Sequence, residues 1–134
     1  MFDFNLIQAF FEDFDVRIER NGDTELTAVI ADDIRLSFFN AENERDSLWT
    51  FGTGWHCHGD ITFFDENGYY ENFSCLDFLE ELAKGKVLLC SDYINGTLYD
   101  MYPAHTDYFD KNDFSRMLPN EELRLRRIIL KEKE

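Results

Sequence analysis

Three Asn-Gly dipeptides, at residues 21–22, 67–68 and 95–96, constrain the fold of this chain more than any other feature. Each lies between segments rich in β-forming residues, and the dipeptide suits tight hairpins because both residues tolerate a positive φ. The pattern predicts antiparallel strands, which we place at residues 15–20, 25–30, 34–39, 47–51, 60–64, 87–90 and 97–102. Pro103 should end the last of these, because proline cannot donate to a strand ladder.

Two segments carry helix signals. Asn5 and Gln8 have the spacing of a capping pair, and apolar residues follow at helical intervals, so we predict a short N-terminal helix. Ser74 and Asp77 resemble a capping box that opens a second helix, which Gly85 should end.

Residues 121–130 near the C-terminus alternate as in a strand, although their composition also suits a helix. We favour a strand. The fold class predicted is therefore α+β, with an antiparallel meander, an N-terminal helix and one helix inserted between strands, in a single domain over residues 1–134.

Charge sets the expected partners. The 134 residues include 28 Asp and Glu but only 13 Lys and Arg, which gives a formal net charge of −15. A surface this negative repels nucleic acid and anionic membranes and attracts basic proteins. We therefore expect a basic protein partner, no nucleic acid and no membrane.

The compartment follows from weaker signals. The first eleven residues lack the features of a signal peptide, and no apolar stretch approaches the roughly 20 residues needed to span a bilayer. The three cysteines are an odd number with no Cys-x-x-Cys spacing, which favours reduced thiols. We expect a cytoplasmic protein.

The segment Trp55-His56-Cys57-His58-Gly59-Asp60 contains two of the three histidines. In an extended backbone His56 and His58 project to the same side, a spacing that can chelate a metal if His105 or Asp60 supplies a third ligand. One hypothesis is thus a small metal-dependent hydrolase that uses His56, His58 and His105. The other reading is a polar pair beside an aromatic anchor, with no cofactor.

Tyr and Asp residues alternate from residue 92 to residue 110, which is typical of a contact face where rings anchor a partner and carboxylates meet its Lys and Arg. Core rings alternating with solvated acids explain the same pattern for about half of these residues. From the two segments we predict these partner-binding residues: Trp55, His56, His58, Asp60, Tyr93, Asp100, Tyr102 and Asp107.

The middle third of the chain also resembles a known family. The stretch from Trp55 to Asp60, the sequence FLEELAKGKV at residues 78–87 and the hairpin at Asn95-Gly96 are similar to bacterial immunity proteins, closest to the CdiI-like proteins of contact-dependent growth inhibition. Those proteins neutralise toxins that include ribonucleases of the EndoU type.

The resemblance implies a non-enzymatic antitoxin that binds one cognate toxin and blocks its active site, on a sheet-and-helix arrangement shared with Whirly-type domains. A ribonuclease holds a polyanion in a basic cleft, so an acidic protein would match its potential. Two alternatives remain: the metal-dependent hydrolase, and an acidic adaptor for some other basic protein.

Overall fold

The computed structural model describes residues 1–52, 54–114 and 117–134, which divide into two compact units. The first unit comprises residues 1–59 and 130–134, and the second comprises residues 60–129. No helix in the described ranges is long and apolar enough to cross a membrane.

The first unit begins with helix α1, Phe4–Phe11. Its cap is Asp3, whose side chain accepts hydrogen bonds from the amides of Asn5 and Leu6. The predicted cap at Asn5 is therefore wrong, because Asn5 already lies in the first turn. The side chains of Asn5 and Gln8 instead accept hydrogen bonds from Arg20, at 3.0 and 2.9 Å.

An antiparallel meander makes up the rest of the first unit, with strands in the order β1-β2-β3-β4-β5. The strands are β1 (Arg17–Asn21), β2 (Glu25–Ala31), β3 (Ile34–Phe39), β4 (Leu48–Phe51) and β5 (His56–Cys57). A 3-10 turn at Glu44–Asp46 precedes β4. Alternate residues of these strands form the core, which includes Leu36, Phe38, Trp49 and Phe51, all fully buried.

The second unit contains a hairpin, a helix and a separate sheet. The hairpin pairs β6 (Ile61–Phe64) with β7 (Tyr70–Phe73), and α2 (Cys75–Ala83) follows it. The sheet has the order β10-β8-β9, with β8 (Val87–Ile94), β9 (Thr97–His105) and β10 (Glu121–Arg127). A 3-10 turn, Lys111–Phe114, lies between β9 and β10.

Several sequence signals for the second unit are confirmed. The Ser74 side chain accepts from the amide of Asp77, and Gly85 follows the helix with a φ of +73°. Asn95 and Gly96 both have positive φ, +52° and +78°, so Ile94 pairs directly with Thr97 across a two-residue turn. The strand favoured for residues 121–130 also forms, but it ends at Arg127.

The predicted end of β9 is wrong. The strand continues through Pro103, opposite Leu89, to His105. Proline is tolerated there because β9 lies at the edge of its sheet, where no second neighbour needs an N–H. The α+β class, antiparallel pairing and both helices are confirmed, while the strands are divided among three sheets.

Candidate functional site

The segment around Trp55 is anchored on the buried ring of Trp49. The two rings meet edge to face with centroids 5.0 Å apart, and the indole nitrogen of Trp49 donates to the carbonyl of Gly59 at 2.9 Å. Trp55 is half-buried as a result, and with His56 it lines a concavity of about 470 Å³. The ring of Trp55 is therefore packed on the first unit's core and partly exposed.

His56 and His58 lie on the same side of that segment, as the spacing predicts. Both are exposed, and their ring centroids are 5.3 Å apart. Nδ1 of His58 donates a hydrogen bond to the carbonyl oxygen of Ser47 at 3.1 Å. Within the described ranges, no group of three or more His, Cys, Asp or Glu side chains could hold a metal ion.

His105, the third histidine of the hydrolase hypothesis, is fully buried in the core of the second unit. Its Nδ1 accepts a hydrogen bond from the amide of Asp107 at 3.0 Å, so Nε2 carries the proton and donates to Glu81 at 2.9 Å. Rings of Phe63 and Phe73 lie against the imidazole, with centroids 5.6 and 5.3 Å away. Coordination of a metal would require His105 to give up one of these two bonds.

The contacts of Glu81 shift its pKa. Burial raises this pKa, but hydrogen bonds from His105 and Lys84 outweigh burial and hold it below its usual value. His105 and Glu81 therefore form a charge-assisted tie between β9 and α2.

Strand alternation separates Tyr93 from two other predicted contact residues, Asp100 and Tyr102. Tyr93 on β8 pairs with Glu122 on β10, whereas Asp100 and Tyr102 on β9 pair with Asp92 and Cys90. Because successive residues of a strand point to opposite faces, Tyr93 lies on one face of the sheet and Asp100 and Tyr102 lie on the other. The sequence analysis assigned these residues to one contact face, but the sheet places them on opposite faces.

Asp92 shares its face with two other carboxylates. Asp100 is directly opposite on β9, and Glu121 lies two residues before Leu123, the β10 partner of Asp92. Burial, then the hydrogen bond and charge of Glu121, then the charge of Asp100 raise the pKa of Asp92 from 3.8 to about 6. Its Oδ1 is buried without a hydrogen-bond partner among the described residues.

The remaining predicted carboxylates already have partners. Asp107 is exposed and accepts from Lys86 at 3.0 Å, which lowers the pKa of Asp107 and raises that of Lys86. Asp60 accepts from the side-chain amide of Asn72 at 3.0 Å. Asn72 in turn accepts from Thr62 at 2.7 Å, so the carboxylate of Asp60 is oriented by the hairpin.

An exposed aromatic surface on the β6–β7 hairpin of the second unit was not predicted. Phe64 and Tyr70 face each other across the β6–β7 hairpin with ring centroids 5.6 Å apart, and are 55% and 63% exposed. Tyr69 in the turn is 71% exposed. The outward hairpin face, defined by Thr62, Phe64, Tyr70 and Asn72, is thus aromatic near the turn and polar at its base.

A sequence signal for this face exists in the doublet Phe63-Phe64. Two consecutive aromatic residues in a strand cannot both point into one core. Phe63 is buried, so Phe64 must point to solvent.

The turn holds this face in one geometry. Oδ1 of Asp65 accepts hydrogen bonds from the amides of Asn67 and Tyr69, at 2.8 and 3.0 Å, and the amide of Asp65 donates to the carbonyl of Tyr69. Gly68 has a φ of +83°. Because the backbone of the turn is fixed in this way, little backbone conformational entropy is lost when a partner binds this face.

The stretch of sequence that contains the hairpin has formal charges of one sign. No Lys or Arg occurs between Arg45 and Lys84, whereas this stretch contains eight carboxylates: Asp46, Asp60, Asp65, Glu66, Glu71, Asp77, Glu80 and Glu81. Glu66 and Glu71 are exposed, and neither forms an ion pair within the described part of the chain. The outward hairpin face is therefore an aromatic patch on a stretch of chain whose charged side chains are all acidic.

No protein-family model, curated protein or solved structure matches this chain. The resemblance to immunity proteins consequently remains a prediction.

Proposed function

We propose that this chain is an immunity protein that binds the nuclease domain of a cognate toxin and blocks its substrate cleft. The proposal is supported by the resemblance of the middle third of the sequence and by the −15 net charge. It includes a cytoplasmic location, where such a toxin acts. The protein performs no catalysis in this proposal.

The observation that carries the proposal is the outward hairpin face. Exposed rings of Phe64 and Tyr70 lie in a stretch of chain that has eight carboxylates and no Lys or Arg. A nuclease cleft must be basic because its substrate is a polyanion, and an acidic surface is complementary to that cleft. This protein would then inhibit the nuclease by competing with RNA or DNA for the basic side chains of the cleft.

Charge and rings have different tasks in such a complex. Complementary charge mainly accelerates encounter, whereas retention depends on a few well-packed anchors near the centre of the interface. Tyr and Trp are common anchors, and interfaces of this kind bury about 1,600 Å² in total. The hairpin supplies rings held on a rigid turn, which is what retention requires.

The test uses the product of the gene adjacent to that of this protein, in which the proposal expects a nuclease domain. Wild type should co-purify with that domain and inhibit its cleavage of RNA or DNA. The double variant Phe64→Ala/Tyr70→Ala should bind about 100-fold more weakly by titration calorimetry, because it removes two anchors from one site.

Tyr99→Ala is the matched control, since Tyr99 is 72% exposed but lies outside the hairpin. It should bind as wild type does. Unchanged affinity of the double variant would reject the hairpin as the contact surface. Failure of the wild type to bind or inhibit the neighbouring nuclease would reject the function.

A further inference from the structure

We infer that the outward hairpin face selects arginine over lysine in its basic partner, by stacking guanidinium groups on the rings of Phe64 and Tyr70. The inference rests on the proposed function only for the identity of that partner. The juxtaposition behind it is two adjacent exposed rings with carboxylates at both ends of the face.

The chain itself contains the arrangement that this inference invokes. The guanidinium of Arg124 lies over the ring of Tyr93, 4.3 Å from its centroid. The same guanidinium binds both carboxylate oxygens of Glu122, at 2.9 and 3.1 Å. One arginine thus uses its flat face on a ring and its edge on a carboxylate, which an ammonium group cannot do.

The hairpin offers these two elements to another molecule. Its rings are more exposed than Tyr93, which is half-buried under Arg124. Glu66 is exposed in the turn that joins the two strands, and Asp60 is oriented at the base of the face by Asn72. A partner with several arginines could therefore place one over the rings and another near the base.

Arginine is favoured for a physical reason. A guanidinium is planar and weakly hydrated, so it stacks on an aromatic face at a smaller desolvation cost than an ammonium. Carboxylates alone attract both arginine and lysine, and the rings add the preference for arginine. A second copy of this chain is a poor occupant of the same face, because each copy has a charge of −15.

The test is a pair of nine-residue peptides with alternating glycine, one with Arg and one with Lys at the charged positions. Each is titrated into the ¹⁵N-labelled protein at low salt. The Arg peptide should shift the amide resonances of residues 60–73 and bind about five-fold more tightly than the Lys peptide. Equal affinities, or shifts confined to other residues, would overturn the inference.

Variants distinguish the contribution of the rings to peptide binding from the effects of charge and of folding. Phe64→Leu/Tyr70→Leu keeps apolar area but removes the π faces, so both peptides should bind it equally and weakly. Phe64→Tyr retains the ring and should retain the preference, as should Tyr99→Ala. If the leucine variant still prefers Arg, the rings are not the selective element. Shifts that depend on protein concentration without peptide would instead indicate self-association and overturn the inference.

The peptide titration and the nuclease assay can fail independently. An Arg preference in a protein that inhibits no nuclease would leave the inference standing and reject the proposed function. Inhibition of the nuclease without an Arg preference would support the proposed function and overturn the inference.

Discussion

At the residue scale, His105 shows how a candidate catalytic group can be part of the core. It is fully buried, and both ring nitrogens have hydrogen-bond partners, the amide of Asp107 and the carboxylate of Glu81. These two bonds fix the tautomer and tie β9 to α2. From the sequence alone, His105 is as good a candidate metal ligand as His56 and His58, because burial cannot be read from a single residue.

His105→Phe tests this role. The substitution keeps ring packing against Phe63 and Phe73 but removes both hydrogen bonds, so the free energy of unfolding in urea at pH 7 should fall by about 2–3 kcal/mol. Glu81→Gln is the comparison, because an amide oxygen still accepts from Nε2 and the loss should be about 1 kcal/mol. Equal stability of His105→Phe and wild type would show that the two bonds do not contribute.

At the element scale, the three-stranded sheet concentrates like charges on one face. Asp92, Asp100 and Glu121 come from three different strands, and only the pairing register places them together. Burial and these neighbours raise the pKa of Asp92 to about 6. A carboxyl with a raised pKa stabilises the fold when protonated, and that contribution is lost as pH rises through the folded pKa.

Asp92→Asn should therefore be more stable than wild type at pH 7.5. We expect a gain of about 1–2 kcal/mol from urea unfolding, since solvent screens part of the repulsion. The gain should shrink between pH 6 and pH 4, where Asp92 becomes protonated in the folded state. Asp100→Asn, at an exposed position, should gain less. A loss of stability for Asp92→Asn at pH 7.5 would contradict the repulsion.

At the scale of the whole molecule, the excess of 28 acidic over 13 basic residues governs how partners arrive. Long-range attraction raises association rates, and salt screens it beyond a Debye length of about 8 Å at physiological ionic strength. The rings of the hairpin act only at contact. The association rate constant should therefore depend on salt more strongly than the dissociation rate constant.

The association rate constant with the nuclease should fall about ten-fold or more between 50 and 500 mM NaCl, with a much smaller change in the dissociation rate. Stopped-flow fluorescence measures both. Glu66→Gln/Glu71→Gln should reduce the salt dependence more than Glu12→Gln/Asp13→Asn, which removes the same charge from exposed positions after α1. An association rate independent of salt would contradict electrostatic attraction.

The sequence by itself determined two local elements of this protein, the turn at Asn95-Gly96 and the cap at Ser74. These depend on the conformational preferences of a few adjacent residues. The tertiary structure alone decided that Tyr93 and Tyr102 occupy opposite faces, that His105 is buried, and that Phe64 rather than Phe63 is the exposed ring of its doublet. Those outcomes depend on register and on which face of each strand is covered, and both are set by residues distant in the chain.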